Sequence, residues 1–221
     1  MTDVNKLLGQ LLGSGAASGF AGGLAGGLAS SMLTSKAGRK LGKNTLKMGG
    51  MAAVGALAYA AYQRYSATKD QAALAPPPPP GASLPPVPEG TAFLPSRNDT
   101  AGREALGLTL VRAMIAAARA DGKLDARESQ TIFQRIEALG LDPENQALLV
   151  GEMGRPVDMD AIVASAGSPE VASEIYLASL LAIDTDTAAE KAYLAMLAAR
   201  LNLPAELVHE LNRQVEAQTA G

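Results

Sequence analysis

An acidic loop between two apolar helical segments is the feature that most constrains this chain. Residues 118–128 read ARADGKLDARE, and a shorter related stretch, LAIDTDTAAE, occupies residues 181–190. In both copies an apolar segment ends at an aspartate, and another begins after a glutamate. The residues that follow match at one constant offset, with a one-residue slip inside the loop: Glu128, Ile132, Leu139 and Leu141 against Glu190, Leu194, Leu201 and Leu203. The pattern predicts a duplicated helix–acidic loop–helix unit.

From residue 98 onward, apolar residues recur at helical spacing, which predicts an all-α domain of about seven helices. Two helix starts combine a capping side chain, a first-turn proline and an acid, at Asp142-Pro143-Glu144 and Ser168-Pro169-Glu170. No run of β-branched residues indicates a strand. The predicted apolar faces include Leu106, Leu110, Val111, Met114, Ile115 and Ala118 at the start of the domain, and Leu207, Val208, Leu211 and Val215 at its end.

The first third of the chain has a different composition, rich in Gly, Ala, Ser and Leu. No residue between Lys6 and Lys36 is charged, and Gly15, Gly19, Gly23 and Gly27 recur every four residues. This spacing lets two membrane helices approach closely and favours self-association. In water such a segment is a poor helix, so a flexible glycine-rich linker is the competing interpretation.

A basic run from Lys36 to Lys47 precedes a second uncharged stretch, Met48 to Gln63. As a helix this stretch is about 24 Å long, short of a hydrocarbon core of about 30 Å unless the flanking cations snorkel. Tyr59, Tyr62 and Tyr65 cluster at one end, as in an interfacial aromatic belt. We therefore expect residues 1–70 to be a membrane-associated region with its basic loop in the cytoplasm; the side of the C-terminal domain stays open.

A proline-rich linker is predicted at residues 71–97, where five consecutive prolines occupy residues 76–80. Consecutive prolines favour an extended, semi-rigid conformation, so this segment is expected to hold the domain at residues 98–221 away from the membrane.

Composition argues against several classes of protein. The net charge of -3 and an aromatic content of 4% give neither the basic field nor the stacking platforms of a nucleic-acid binder. Cysteine is absent, which excludes disulfides, thiolate metal sites and a cysteine nucleophile. The single histidine, His209, is predicted to be a surface residue. No nucleotide fingerprint or Ser–His–Asp arrangement is present, so we expect a non-enzymatic protein, and a hydrolase using the acids is a rival hypothesis.

The acids of the two loops have two explanations. Asp125 with Glu128, and Thr187 with Glu190, have the spacing of capping boxes, which satisfy free N–H groups at a helix start. Capping does not explain Asp121 and Asp184, which end helices where an anion meets the negative pole of the dipole. Carboxylates without His or Cys are hard oxygen ligands suited to Ca²⁺, Mg²⁺ or Mn²⁺, although the spacing is not that of an EF-hand. Helix caps alone and a divalent-cation site therefore both stand as hypotheses.

The segment LVRAMIAAARADGKLDARE at residues 110–128 resembles the TerB-like domains of tellurite-resistance proteins. The segments AIDTDTAAEKAY at 182–193 and LAARLNL at 197–203 are similar to the uncharacterised YebE-like inner-membrane proteins of Gram-negative bacteria. The resemblance covers residues 98–217 and, more loosely, the N-terminal plan. It implies a TerB-like helical fold, inner-membrane attachment, a link to envelope stress and no established activity. It also implies divalent-cation binding through Asp121, Asp125 and Glu128, and through Asp184, Asp186 and Glu190 in a second loop that is shorter and lacks the glycine.

These observations predict a membrane-attached, non-enzymatic TerB-like module that binds a divalent cation and acts within a membrane stress complex. Its expected partners are the membrane, other proteins, or a second copy joined through the glycine ladder, and no nucleic acid. The alternative is a structural scaffold in which the acids only cap helices and the glycine ladder mediates self-association.

Overall fold

The structure is a computed structural model that describes residues 50–70, 84–120, 143–183, 185 and 187–219. These residues form seven α-helices and no β-strand; an isolated bridge between Thr91 and Leu94 closes a turn. In chain order the helices are α1 (Gly50–Asp70), α2 (Thr100–Ala118), α3 (Pro143–Gly154), α4 (Met159–Ala164), α5 (Pro169–Ala182), α6 (Ala188–Arg200) and α7 (Ala205–Thr219). The predicted all-α fold class is confirmed for this part of the chain.

The centre of the fold is α5. Ser168 caps its start by accepting a hydrogen bond from the backbone N–H of Val171 (3.3 Å), and Pro169 occupies the first turn. Every residue from Ala172 to Ala182 is buried. A helix that is buried on all faces needs neighbours on all sides. Helices α1, α2, α6 and α7 supply them, and α2 makes the most extensive contact with α5.

The apolar stretch at the N-terminal side of the linker is part of this core. Helix α1 packs against α7 and α5, and its Val54, Leu57 and Ala58 are buried. The turn that follows the linker adds Phe93, whose ring meets Tyr59 and Tyr62 edge-on with centroids 5.5 and 5.6 Å apart. Two of the tyrosines expected in a membrane-interface belt therefore pack on a phenylalanine of the same protein.

Six of the seven described helices lie where the C-terminal pattern predicts them, and the apolar faces named for α2 are buried. The predicted helix carrying Ile132 and Leu139 lies outside the described residues, as do the glycine ladder and the basic run. The domain boundaries at residues 70 and 97 stay a prediction. Among the described helices, none has the length and apolar character needed to cross a membrane.

Close approach of α1 to its neighbours depends on Gly55. A Cβ placed there would lie 2.7 Å from the Phe93 carbonyl oxygen and 3.0 Å from Oε1 of Glu174. We predict that Gly55→Ala destabilises the full chain by about 1–3 kcal/mol, because the backbone carbonyl cannot yield without shifting the turn. Chemical denaturation followed by circular dichroism measures the change.

Gly151→Ala is the matched control, since a Cβ at this helical glycine of α3 meets no atom within 4 Å. It should stabilise the protein by about 0.5–1 kcal/mol through helix propensity alone. A Gly55→Ala protein as stable as the wild type would show that α1 does not pack on the Phe93 turn as described.

Candidate functional site

Only one of the six predicted cation ligands lies within the described residues. Asp121, Asp125 and Glu128 of the first loop, and Asp184 and Asp186 of the second, lie outside them, so the predicted cation site stays a prediction. Glu190 belongs to the capping box that starts α6. Its Oε2 accepts from the Thr187 backbone N–H at 2.9 Å, while Thr187 Oγ1 accepts from the Glu190 N–H at 3.1 Å. The predicted capping role of this pair is confirmed.

Within the second loop, Thr185 adopts a left-handed backbone conformation, with φ of 55°. A β-branched residue rarely takes this conformation, because its Cβ crowds the backbone. In the first loop the residue after the aspartate is a glycine in the sequence, Gly122, a residue type for which a left-handed conformation carries no Cβ penalty. Elsewhere in the described chain, no group of three or more His, Asp or Glu side chains is placed to hold a metal ion.

The structure brings together a different set of residues, in an open cleft of about 410 Å³ between α2, α3 and α4. This volume lies in the range of small-molecule and peptide-side-chain pockets. The floor is apolar, from Ile115, Ala116 and Ile162, and the rim carries Val157, which is 41% exposed. Pro156 and Ala161 add to the apolar lining, and the polar lining residues are Thr109, Arg112, Glu152, Arg155, Asp158 and Ser165.

Two arginines share a single buried carboxylate at this cleft. Arg112 donates from Nε to Oε2 of Glu152 at 2.7 Å and from Nη2 to Oε1 at 3.1 Å. Arg155 donates from Nη1 to the same Oε1 at 3.1 Å. The hydrogen bonds from Arg112 lower the pKa of Glu152 below the usual glutamate value, and the same contact raises the pKa of Arg112. The carboxylate is therefore ionised at neutral pH and joins α2 to α3.

Further contacts hold the walls of the cleft. Arg119, at the end of α2, donates to the backbone carbonyl of Arg155 at 2.8 Å. Asp158 caps α4 by accepting from the N–H of Ala161 at 2.9 Å, and Arg200 of α6 pairs with Asp160. These bonds fix the end of α2 to the segment between α3 and α4, cap α4 and join α6 to α4, which holds that side of the cleft in place.

The cleft presents apolar surface beside guanidinium groups that retain free donors. Each arginine has five N–H groups, of which Arg112 uses two and Arg155 one in the bonds to Glu152. Such an arrangement binds carboxylates or other planar anions next to an apolar group. No sequence motif marks these residues as a group, because Arg112 and Glu152 are forty residues apart. The available signal was Arg112 itself, the one charged residue in the otherwise apolar run from Leu110 to Ala118.

The described residues define an all-helical module arranged round one buried helix, with a cleft on one side that combines an apolar floor with two arginines and a buried carboxylate. A family model described as "Protein of unknown function (DUF533)" matches residues 7–215, and the chain belongs to this family. The chain is also similar to the "Uncharacterized protein in ampR 5'region" of Yersinia enterocolitica. The two are 29% identical over 98 residues, which cover 44% of this chain and 70% of that protein. No solved structure matches.

We predict that Glu152→Gln destabilises the full chain by about 1–3 kcal/mol at neutral pH, because the charge-assisted bonds to both arginines weaken. The folded pKa of Glu152 is depressed, so its stabilisation is present above the unfolded pKa and is lost as pH falls through the folded one. The difference in unfolding free energy between wild type and variant should therefore become smaller below about pH 4. Denaturation curves recorded across pH measure this difference.

Glu104→Gln, at an exposed position of α2, is the control. A difference in unfolding free energy between wild type and Glu152→Gln that does not change with pH would contradict the ion-pair assignment.

A second prediction separates capping from cation binding at Glu190. Glutamine also completes a capping box, so Glu190→Gln should leave the unfolding midpoint nearly unchanged, whereas Thr187→Ala should lose about 1 kcal/mol. Melting curves with chelator and with millimolar Ca²⁺, Mg²⁺ or Mn²⁺ test this. If a cation raises the wild-type midpoint and Glu190→Gln removes that rise, the carboxylate is a ligand as well as a cap.

Proposed function

We propose that this chain is a membrane-attached, non-enzymatic TerB-like module that binds a partner protein through the cleft between α2, α3 and α4. The glycine-rich residues of its first third attach it to the bacterial inner membrane, and the helical domain carries the binding surface. The cleft, with two arginines on one buried carboxylate beside an apolar floor, is the observation that supports this function.

The chemistry of the cleft selects a segment of the partner. Val157 at the rim and Ile115 and Ile162 in the floor offer contact to an apolar side chain. The free donors of Arg112 and Arg155 offer bidentate hydrogen bonds to a carboxylate. The segment that fits is therefore one in which an Asp or Glu lies next to an aliphatic residue.

Three acids near helix starts stabilise the ends of helices. This structural role favours a binding module over a hydrolase. Asp99 caps α2, Asp158 caps α4 and Glu190 completes the capping box of α6. Each carboxylate accepts a backbone N–H and contributes to helix stability. The divalent-cation hypothesis rests on Asp121 and the other loop acids. Cation binding there would act on the segment that follows Ala120 in the sequence.

Photocrosslinking in native membranes tests the proposed function. Val157 and Met196 are the large exposed apolar residues of the described chain, at 41% and 44% exposure, and only Val157 lines the cleft. A photoreactive residue placed at 157 in the full chain should give one discrete protein adduct in the membrane fraction. The same residue at 196 should not.

The adduct should also depend on the arginine pair. Arg155→Glu reverses the charge of the more exposed guanidinium and should reduce the adduct at least about tenfold, the equivalent of one lost charge-assisted contact. Arg213→Glu, a charge reversal on α7 away from the cleft, is the control. Equal adducts at 157 and 196, or a chain that stays in the soluble fraction, would contradict the proposal.

A further inference from the structure

The interior of the fold contains a carboxyl group that no contact described above explains. Glu174 of α5 is 0% exposed, and neither of its carboxyl oxygens has a hydrogen-bond partner within the described chain. Its neighbours on α5 are satisfied: Ser173 Oγ donates to the Pro169 carbonyl at 2.8 Å, and Ser179 Oγ to the Ala113 carbonyl at 3.3 Å. A buried carboxylate without a partner is strongly unfavourable, so this group needs a physical account.

Glu174 lies at the contact between α5 and α1. Its Oε1 and the Phe93 carbonyl oxygen both lie within 3.0 Å of the position that a Cβ at Gly55 would take. The carboxyl group is thus enclosed by the backbone of α1 and by the turn that precedes α2. If α1 moves away, the carboxyl group becomes accessible to water on that side.

The charged groups of the surrounding helices are engaged elsewhere. Arg64 of α1 lies about 13 Å beyond Gly55 along the helix, and its Nε is 3.8 Å from Oε1 of Glu210 on α7. Arg213 of α7 pairs with the same glutamate at 3.2 Å, and Arg112 of α2 is held by Glu152. On α6, Glu190 is in its capping box. The other buried or partly buried titratable side chains on these helices are Tyr59, Tyr62 and Tyr65 of α1, Arg103 of α2 and Arg119 at its end, Glu170 and Tyr176 of α5, and Tyr193 of α6.

None of these groups makes a hydrogen bond to Glu174. Burial by itself raises the pKa of Glu174 well above the ordinary glutamate value. The closed arrangement of α1 therefore accommodates the neutral carboxylic acid and disfavours the carboxylate.

We propose that Glu174 makes the packing of α1 on α5 proton-dependent: the neutral acid keeps α1 docked, and ionisation releases it. This device goes beyond the proposed partner binding and is independent of the cleft. Release exposes the buried face of α1, including Val54, Leu57, Ala58 and Ala61, to a partner or a membrane surface. The opening is local, because α2 packs on α5 more extensively than α1 does and keeps the rest of the core together.

The direction of the pH dependence follows from the raised folded pKa. The stabilisation of the closed state is fully present below the unfolded pKa and is lost as pH rises through the folded one. In this interval, each pH unit favours the open state by about tenfold. Alkaline conditions therefore open α1, and acidic conditions close it.

Hydrogen–deuterium exchange on the full chain, between about pH 5 and about pH 9, tests the proposal after correction for intrinsic exchange rates. Wild-type amides of α1 should lose about tenfold or more of their protection over this range, relative to Glu174→Gln, whose side chain does not titrate. The amides of α2 should keep theirs. Glu170→Gln, one turn earlier on α5 and partly exposed, is the matched control and should behave as the wild type.

Two outcomes would overturn the proposal. One is a ratio of α1 protection between wild type and Glu174→Gln that stays constant across pH. The other is an equal loss of protection in α1, α2 and α5, which would mean global unfolding and no release of α1. If Glu174→Gln does not fold, Glu174→Met supplies a non-titrating side chain of similar length that suits the apolar surroundings.

Discussion

Burial of α5 on every face is the constraint on which the rest of this structure depends. Eleven consecutive residues, Ala172 to Ala182, are buried, so no side of the helix can face water. The remaining helices are arranged to meet that demand, with α1, α2, α6 and α7 each covering part of its surface. Residues 50–70 thereby become part of the same core as the C-terminal helices.

A helix enclosed in this way leaves little room for polar side chains. Those in or near the core are stabilised in two ways, by hydrogen bonds to backbone carbonyls or by ion pairs. The hydroxyls of Ser173 and Ser179 donate hydrogen bonds to backbone carbonyls, so neither is left without a partner. Glu152, at the edge of the core, is matched by two arginines and stays charged. Glu174 has neither a hydrogen-bond partner nor an ion-pair partner within the described chain, and its burial is compatible only with the neutral acid. The central constraint of the fold and its proton sensitivity therefore have the same origin.

The periodicity of the sequence was sufficient to predict the helices. It was a weaker guide to what each helix packs against. The spacing of Leu106, Leu110 and Met114 indicates which face of α2 is buried, because helical geometry places these residues on one side. The capping box of Thr187 and Glu190 could also be predicted from the sequence, because both residues belong to one helical turn. The uncharged stretch from Met48 to Gln63 fits a membrane segment and a core helix alike, because both environments select apolar side chains. Its location against α5 and α7 is a tertiary property.

The same distinction between local and tertiary properties applies to the candidate site. By itself, the sequence determined the all-helical class, the starts of α3, α5 and α6, the apolar faces and the acidic composition of the loops, because each depends on residues within a few turns of one another. Only the tertiary structure decided that Arg112, Glu152 and Arg155 form a cleft, and that Glu174 is enclosed by Gly55 and the Phe93 turn. Apart from the Glu152–Arg155 pair, those contacts join residues that are far apart in the chain, and no local pattern specifies such a pairing. The physical reason is that helix formation is a short-range property, whereas the pairing of helix faces is settled by burial of the whole core.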